Sequence, residues 1–173
     1  MTDRAAPYAL AAGQARRDGA IMPFKALATD TGGLLSVCEF TLGPWESGPV
    51  LHRHTEVDEA FYVVAGKLEA QLDDQRVQAA AGGFLWVPRG TAHSFANAGP
   101  EPVQVLALAL PGGVEKLFAE QAAYLSSVQG PPDPGVLAEI GARHGAPTVG
   151  PPIRSKDAPS DGPGAMPSRA PEA

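Results

Sequence analysis

The sequence is short of three things that many protein classes need. It has one cysteine, Cys38, and therefore no intramolecular disulfide, which is typical of a reducing compartment and leads us to expect a cytoplasmic protein. Its first twenty residues hold no long apolar run, so neither a signal peptide nor a membrane span is expected there. Its 13 basic residues are outnumbered by 19 acidic ones, giving a net charge of −6. That balance disfavours phosphate backbones, and we expect no nucleic-acid partner.

Charged residues are also scarce, at 18%, whereas glycine (20) and proline (18) are abundant. Such a composition favours many turns and short strands over long helices. The 173 residues are enough for one domain with a hydrophobic core, but few for two.

Short β-rich segments separated by glycine and proline turns predict a β-sandwich or barrel over residues 34–112. Residues 1–33 are weakly patterned, and we expect them to wrap the domain with at most one short strand. Apolar residues at the helical period predict a helical addition over residues 113–145, with Asp133-Pro134 opening its second helix. Residues 146–173 are rich in proline and glycine and are predicted to form a disordered tail.

A set of metal-ligating side chains lies in the β-rich region. His52 and His54 are two residues apart, so on a strand they share a face. Glu59 joins them only if the chain bends at residues 55–58, and His93 arrives after the turn Pro88-Arg89-Gly90. Three imidazoles and one carboxylate suit a divalent transition ion (Fe(II), Mn, Ni, Co or Zn) better than calcium or magnesium.

These residues stand in a recognisable order. His52-x-His54, Glu59 and Gly66 form the core of the first cupin motif, and Gly82 to Asn97 is similar to the second. Thr31-Gly32-Gly33 and the segment 58–63 resemble single-domain bacterial cupins of the quercetin 2,3-dioxygenase-like group. The resemblance implies a mainly β fold, a double-stranded β-helix or jelly roll with C-terminal helices, that binds one metal ion through His52, His54, Glu59 and His93.

The resemblance also implies dioxygenase-like chemistry on a small aromatic or enolic molecule, with Glu59 as general base. A metal-dependent isomerase or cyclase and a non-catalytic ligand-binding module are the alternatives. A homodimer is possible, and a membrane is not expected as a partner. We expect a substrate pocket lined by four apolar residues, although ordinary barrel core is the favoured interpretation of any single one: Phe61, Val63, Trp86 and Phe95.

Overall fold

The computed structural model describes residues 5–19 and 21–159. Within these ranges eleven strands and three helices follow one another along the chain. They are β1 (Arg17–Gly19), β2 (Met22–Ala26), α1 (Ala28–Thr31), β3 (Ser36–Leu42), β4 (Leu51–His52), β5 (Asp58–Ala65), β6 (Lys67–Leu72), β7 (Gln75–Ala80), β8 (Phe84–Val87), β9 (His93–Asn97), β10 (Val103–Leu110), α2 (Glu115–Ser127), α3 (Pro134–Arg143) and β11 (Thr148–Gly150).

The strands form two antiparallel sheets. One sheet has the order β1-β2-β3-β10-β5-β8, and the other has the order β11-β4-β9-β6-β7. Most strands from β3 onward, such as β4 and β5, lie in a different sheet from the next strand in sequence, so the chain crosses repeatedly from one sheet to the other. This is the predicted jelly roll.

The core lies between the two sheets and follows the two-residue period of the strands. On β10, Val103, Val105, Ala107 and Ala109 are buried, whereas the residues between them are only half-buried. Side chains from β3, β5 and β6 complete the same apolar cluster. Burial of one face of each strand fixes the register, because a slip of one residue would turn every core side chain outward.

The N-terminal segment contributes more to the sheet than expected. Residues 17–19 and 22–26 form two strands rather than at most one, and β2 pairs with β3 through Phe24 and Cys38. Phe24 is buried between the sheets and packs on Phe118 of α2, with ring centroids 5.9 Å apart. The segment therefore extends the barrel as well as wrapping it.

The predicted helical addition is present as α2 and α3. Asp133 caps α3, since its carboxylate accepts a hydrogen bond of 2.7 Å from the backbone N–H of Gly135, and Pro134 occupies the first turn. Leu117 and Ile140 pack the two helices together. In the part of the chain that the structure describes, no helix is both long and apolar enough to cross a membrane.

The prediction of a disordered tail from residue 146 was wrong for residues 146–159. Thr148 pairs with His52 of β4, and Ile153 and Ser155 are buried. The segment has few apolar side chains, and it is stabilised instead by backbone pairing and hydrogen bonds. Ser155 Oγ (3.0 Å) and Lys156 N (3.2 Å) both donate to the buried carboxylate of Glu69. The rest of the predicted tail, 160–173, lies outside the described residues.

Candidate metal centre

The predicted ligands come from both sheets and meet at one end of the barrel. His52 on β4 and His93 on β9 are cross-strand neighbours, with ring centroids 4.4 Å apart. His54 follows β4 directly, and Glu59 is the second residue of β5 in the opposite sheet. The bend expected between His54 and Glu59 is the crossing from one sheet to the other.

The four side chains converge on one point. One ligand atom from each, a ring nitrogen or a carboxylate oxygen, lies within 4.8 Å of all the others. Glu59 Oε2 is 3.3 Å from His54 Nε2 and 2.8 Å from His93 Nε2. The arrangement is that of a group able to hold a metal ion.

Backbone carbonyls orient two of the imidazoles. His52 Nδ1 lies 2.8 Å from the carbonyl oxygen of Val50, and His93 Nδ1 lies 3.0 Å from that of Thr91. Because a carbonyl can only accept, each Nδ1 must carry the proton, which leaves the Nε2 lone pair of the neutral ring free. Hydrogen bonds of this kind hold histidine ligands in metalloproteins in the tautomer that binds metal.

The lack of a hydrogen-bond partner for one atom of His93 indicates that these residues fit a metal ion. Its Nε2 atom is buried and has no hydrogen-bond partner, although a Glu59 oxygen is only 2.8 Å away. When the ring is neutral with its proton on Nδ1, the Nε2 lone pair faces the carboxylate oxygen at this distance, and the two atoms repel each other. A buried polar atom without a partner is costly, and a cation bound among the four atoms would satisfy it.

Electrostatics keep Glu59 and His52 in their ligating forms. Burial would raise the pKa of Glu59, but the adjacent imidazoles of His54 and His93 outweigh burial and lower it. Burial, reinforced by the neighbouring histidines, lowers the pKa of His52 to about 4. Burial also acts to lower the pKa of His93, but the Glu59 carboxylate beside the ring outweighs burial and raises it. At neutral pH Glu59 is therefore an anion and His52 is neutral, as metal binding requires.

Three of the four predicted pocket residues lie inside the barrel, beneath the ligands. Phe61 lies 6.3 Å from the ring of His93 and 5.4 Å from that of Phe95. Phe95 in turn stacks on Phe40 at 5.0 Å. Val63 is completely buried within the core cluster. Phe61 and Phe95 thus form an apolar floor close to the site, whereas Val63 belongs to the packed core behind it.

The prediction that Trp86 lines this pocket is corrected by the structure. Val87 pairs with Glu59 and is buried, so its neighbour Trp86 points to the opposite face of the sheet, where it is 49% exposed. The segment Phe84–Val87 is apolar at every position, so its sequence does not show which side chains face inward and which face outward. Only the register with β5 decides which of its side chains face inward.

A cavity of about 480 Å³ lies beside His54, in a region that the sequence did not suggest. Its walls are the loop 54–57, the segment 111–114, Leu117 of α2 and the end of α3 at residues 142–145. Thr55 N donates to the carbonyl oxygen of Gly145, which holds the loop against the helix end. His144 and Arg143, both bonded to Glu120, stand in its outer wall. They are some ninety residues away from His54 in sequence, and no local pattern connects them.

Two antiparallel sheets that bring three imidazoles and a carboxylate together define a jelly roll with a candidate metal centre. A model of the cupin domain matches residues 38–109, which include all four ligands. Residues 38–109 of this chain are therefore a cupin domain.

Two curated relatives and one solved structure are similar to parts of this chain. Quercetin 2,3-dioxygenase of Bacillus subtilis is 32% identical over 92 residues, which are 51% of this chain and 27% of that protein. An uncharacterized protein of Methanocaldococcus jannaschii is 28% identical over 68 residues, 39% of this chain and 54% of that one. This chain thus spans about a quarter and about half of the lengths of these relatives. The crystal structure of a predicted oxalate decarboxylase from Thermotoga maritima has a TM-score of 0.50 and 22% identity, over 52% of this chain and 78% of that one, a likeness of fold.

Proposed function

We propose that this protein is a metal-dependent oxygenase of the dioxygenase type that acts on a small aromatic or enolic molecule. The observation that carries the proposal is the buried set of His52, His54, Glu59 and His93, in which the Nε2 atom of His93 has no partner. The similarity to a quercetin 2,3-dioxygenase supports the choice of reaction. We also propose a cytoplasmic location, which the single buried cysteine supports.

The four residues would hold one divalent transition ion. Four protein ligands are fewer than the six that such ions commonly accept, so a bound ion would leave room for small molecules and would act on them as a Lewis acid. The protein's own part is to keep the site dry: His54 and His93 are buried, and Phe61 and Phe95 close it from below. Exclusion of water strengthens electrostatic interactions in the site and protects reactive species.

Glu59 is the side chain placed to move a proton. It is ionised at neutral pH, lies between two imidazoles and keeps 13% of its side chain accessible. A substrate hydroxyl within hydrogen-bond reach of its carboxylate could transfer a proton to it, which would give the enolate form of the substrate.

The cavity beside His54 is the proposed place for the substrate. Its volume of about 480 Å³ falls in the range of small-molecule sites, about 300–1,000 Å³. Val114 and Leu117 give one side an apolar lining, and Arg143 and His144 give the outer side polar groups. A molecule with an apolar body could pack on the apolar side, and oxygen atoms along one of its edges could form hydrogen bonds with the polar side.

Oxygen uptake tests the reaction. Protein loaded separately with Fe(II), Mn, Ni or Co would be screened in an oxygen electrode against flavonols, catechols, β-diketones and hydroxyquinones. We expect uptake with one of these classes, its loss in Glu59→Gln, and its retention in the control Glu101→Gln, which changes an exposed carboxylate outside the site. Conversion without oxygen uptake would favour the isomerase or cyclase, and tight binding without conversion would favour the binding module.

A further inference from the structure

The outer face of the six-stranded sheet carries a patch of exposed apolar side chains. Tyr62 (42% exposed), Val64 (45%), Phe84 (58%) and Trp86 (49%) lie on the neighbouring strands β5 and β8. Tyr62 and Phe84 are direct cross-strand partners, and Trp86 is opposite Ala60 on the same side. We call these four side chains the aromatic face.

The aromatic face breaks the rule that an antiparallel sheet with one face in solvent alternates apolar and polar residues. On β5 the inward residues Phe61 and Val63 are buried, yet the outward residues between and after them are also apolar. On the adjacent β10 the outward Leu106 and Leu108 are half-buried and continue the apolar surface. A patch of this kind on a folded protein marks a contact with another molecule.

Polar pairs border the aromatic face. Arg89 and Asp58 form a two-pronged ion pair at the turn that follows β8, with a shortest N–O distance of 2.7 Å. On the far side of β10, Lys25 and Glu39 are paired at 3.1 Å. An apolar centre within a polar rim is the usual anatomy of a protein–protein interface.

By contrast, part of the outer face of the five-stranded sheet is covered by a C-terminal segment of the chain. The outward carboxylate of Glu69 on β6 lies beneath the segment 153–157 and accepts hydrogen bonds from it. A second contact with the five-stranded sheet is the ion pair between Lys67 Nζ on β6 and Asp157 Oδ2 in the segment, which are 3.7 Å apart. The described chain therefore ends on the side of the sandwich away from the aromatic face.

The remaining residues of the sequence are poorly suited to cover the aromatic face. Residues 1–4 and 160–173 contain two large apolar side chains, Met1 and Met166. The net charge of −6 also disfavours an anionic membrane surface as the occupant.

We infer that a second copy of this chain covers the aromatic face. In a twofold dimer one patch meets its own copy, so three half-exposed aromatic side chains on each side pack together without any second complementary surface. At about 150–250 Å² for a whole aromatic side chain, the three leave roughly 300 Å² exposed on one copy and about twice that on two. With Val64, the outward leucines and the rim, the contact approaches the lower end of standard interfaces, about 1,200 Å².

The mass in solution tests the inference. In size-exclusion chromatography with light scattering at tens of micromolar, we expect twice the chain mass of 17.8 kDa for the wild type. Phe84→Lys should shift the population to monomer, because it places a charge at the most exposed aromatic position. Leu34→Lys is the matched control: Leu34 is equally exposed, at 59%, but lies away from the aromatic face, so this variant should stay dimeric. Both variants should keep the far-ultraviolet circular dichroism of the wild type.

Tryptophan fluorescence gives a second measurement that needs no disruptive variant. Trp45 and Trp86 are the two tryptophans, so Trp45→Phe leaves Trp86 as the sole reporter. Its emission should shift to longer wavelength on dilution through the dissociation range, since Trp86 returns to water.

Two results would overturn the inference. One is a wild type that is monomeric at 100 µM; cosedimentation of that monomer with phosphatidylcholine vesicles would then identify a lipid surface as the occupant instead. The other is a dimer that survives both Phe84→Lys and Trp86→Lys, which would place the contact elsewhere.

Discussion

Removal of the His93 imidazole should abolish about a third or more of the stability that a metal ion gives to this protein. A ligand present at 1,000 times its dissociation constant stabilises the folded state by about 4.1 kcal/mol. For a chain of this length each kcal/mol raises the melting temperature by about 2–4 °C, so metal addition to the apoprotein should raise it by roughly 10 °C.

The loss of metal-dependent stabilisation in His93→Ala can be estimated from the position of His93 in the site. His93 Nε2 is buried, lacks a hydrogen-bond partner and lies 2.8 Å from Glu59, so it is central to the group. Even residues that only support a metal ligand change affinity by about 10–100-fold, and loss of a ligand itself should reach at least that range. At a fixed metal concentration this removes about 1.4–2.7 kcal/mol or more of the metal-dependent stabilisation.

Differential scanning calorimetry with and without added nickel, cobalt, manganese or ferrous ion measures this difference, and elemental analysis gives the occupancy. The matched control is His144→Ala, since His144 is the one histidine outside the group and bonds to Glu120 at 2.6 Å. It should keep the full metal-induced rise. If His93→Ala showed the same rise and occupancy as the wild type, the four-residue site would be refuted.

Three further outcomes are expected. Burial raises the pKa of Cys38 to about 12, so Ellman's reagent at pH 8 should label it only in denaturant; complete labelling of native protein within minutes would contradict this. Glu69→Gln should lower the free energy of unfolding in urea by about 1.5–3 kcal/mol, because a charged acceptor of several hydrogen bonds is lost. It should also speed tryptic cleavage after Lys156, and an unchanged cleavage rate would show that other contacts hold residues 153–157 in place. Gly66→Ala should cost about 2 kcal/mol or more, because a Cβ would lie 2.5 Å from the carbonyl oxygen of Pro102, whereas Gly82→Ala, also at positive φ but in open space, should cost only about 1 kcal/mol; equal costs would contradict this.

The first three residues of the candidate metal site could be predicted because their pattern is local. His52 and His54 share a strand face by the two-residue period, and the need to bring Glu59 to the same side required a bend that the structure shows as a crossing between sheets. The carbonyl contacts that set the imidazole tautomers depend on backbone geometry, which residue order does not specify.

The remaining parts of the site depend on long-range contacts. Residues 146–159 read as a polar, proline-rich tail because their partners, the β4 edge and Glu69, are far away in the sequence. The cavity beside His54 exists because Gly145 meets Thr55, a contact between residues ninety positions apart. Composition alone underestimates the order of a segment whose stability comes from hydrogen bonds supplied elsewhere in the chain.

The pairing of β4 with β11 has a consequence for biosynthesis. The strand that carries His52 is bordered on one side by β9 and on the other by Thr148, which the ribosome adds about a hundred residues later. While the chain is being made, the first two histidine ligands are present long before the strand that borders them. Since domains fold as units once their elements are available, a metal ion should be captured only after residues 148–150 have been added, and not by a partly synthesised barrel.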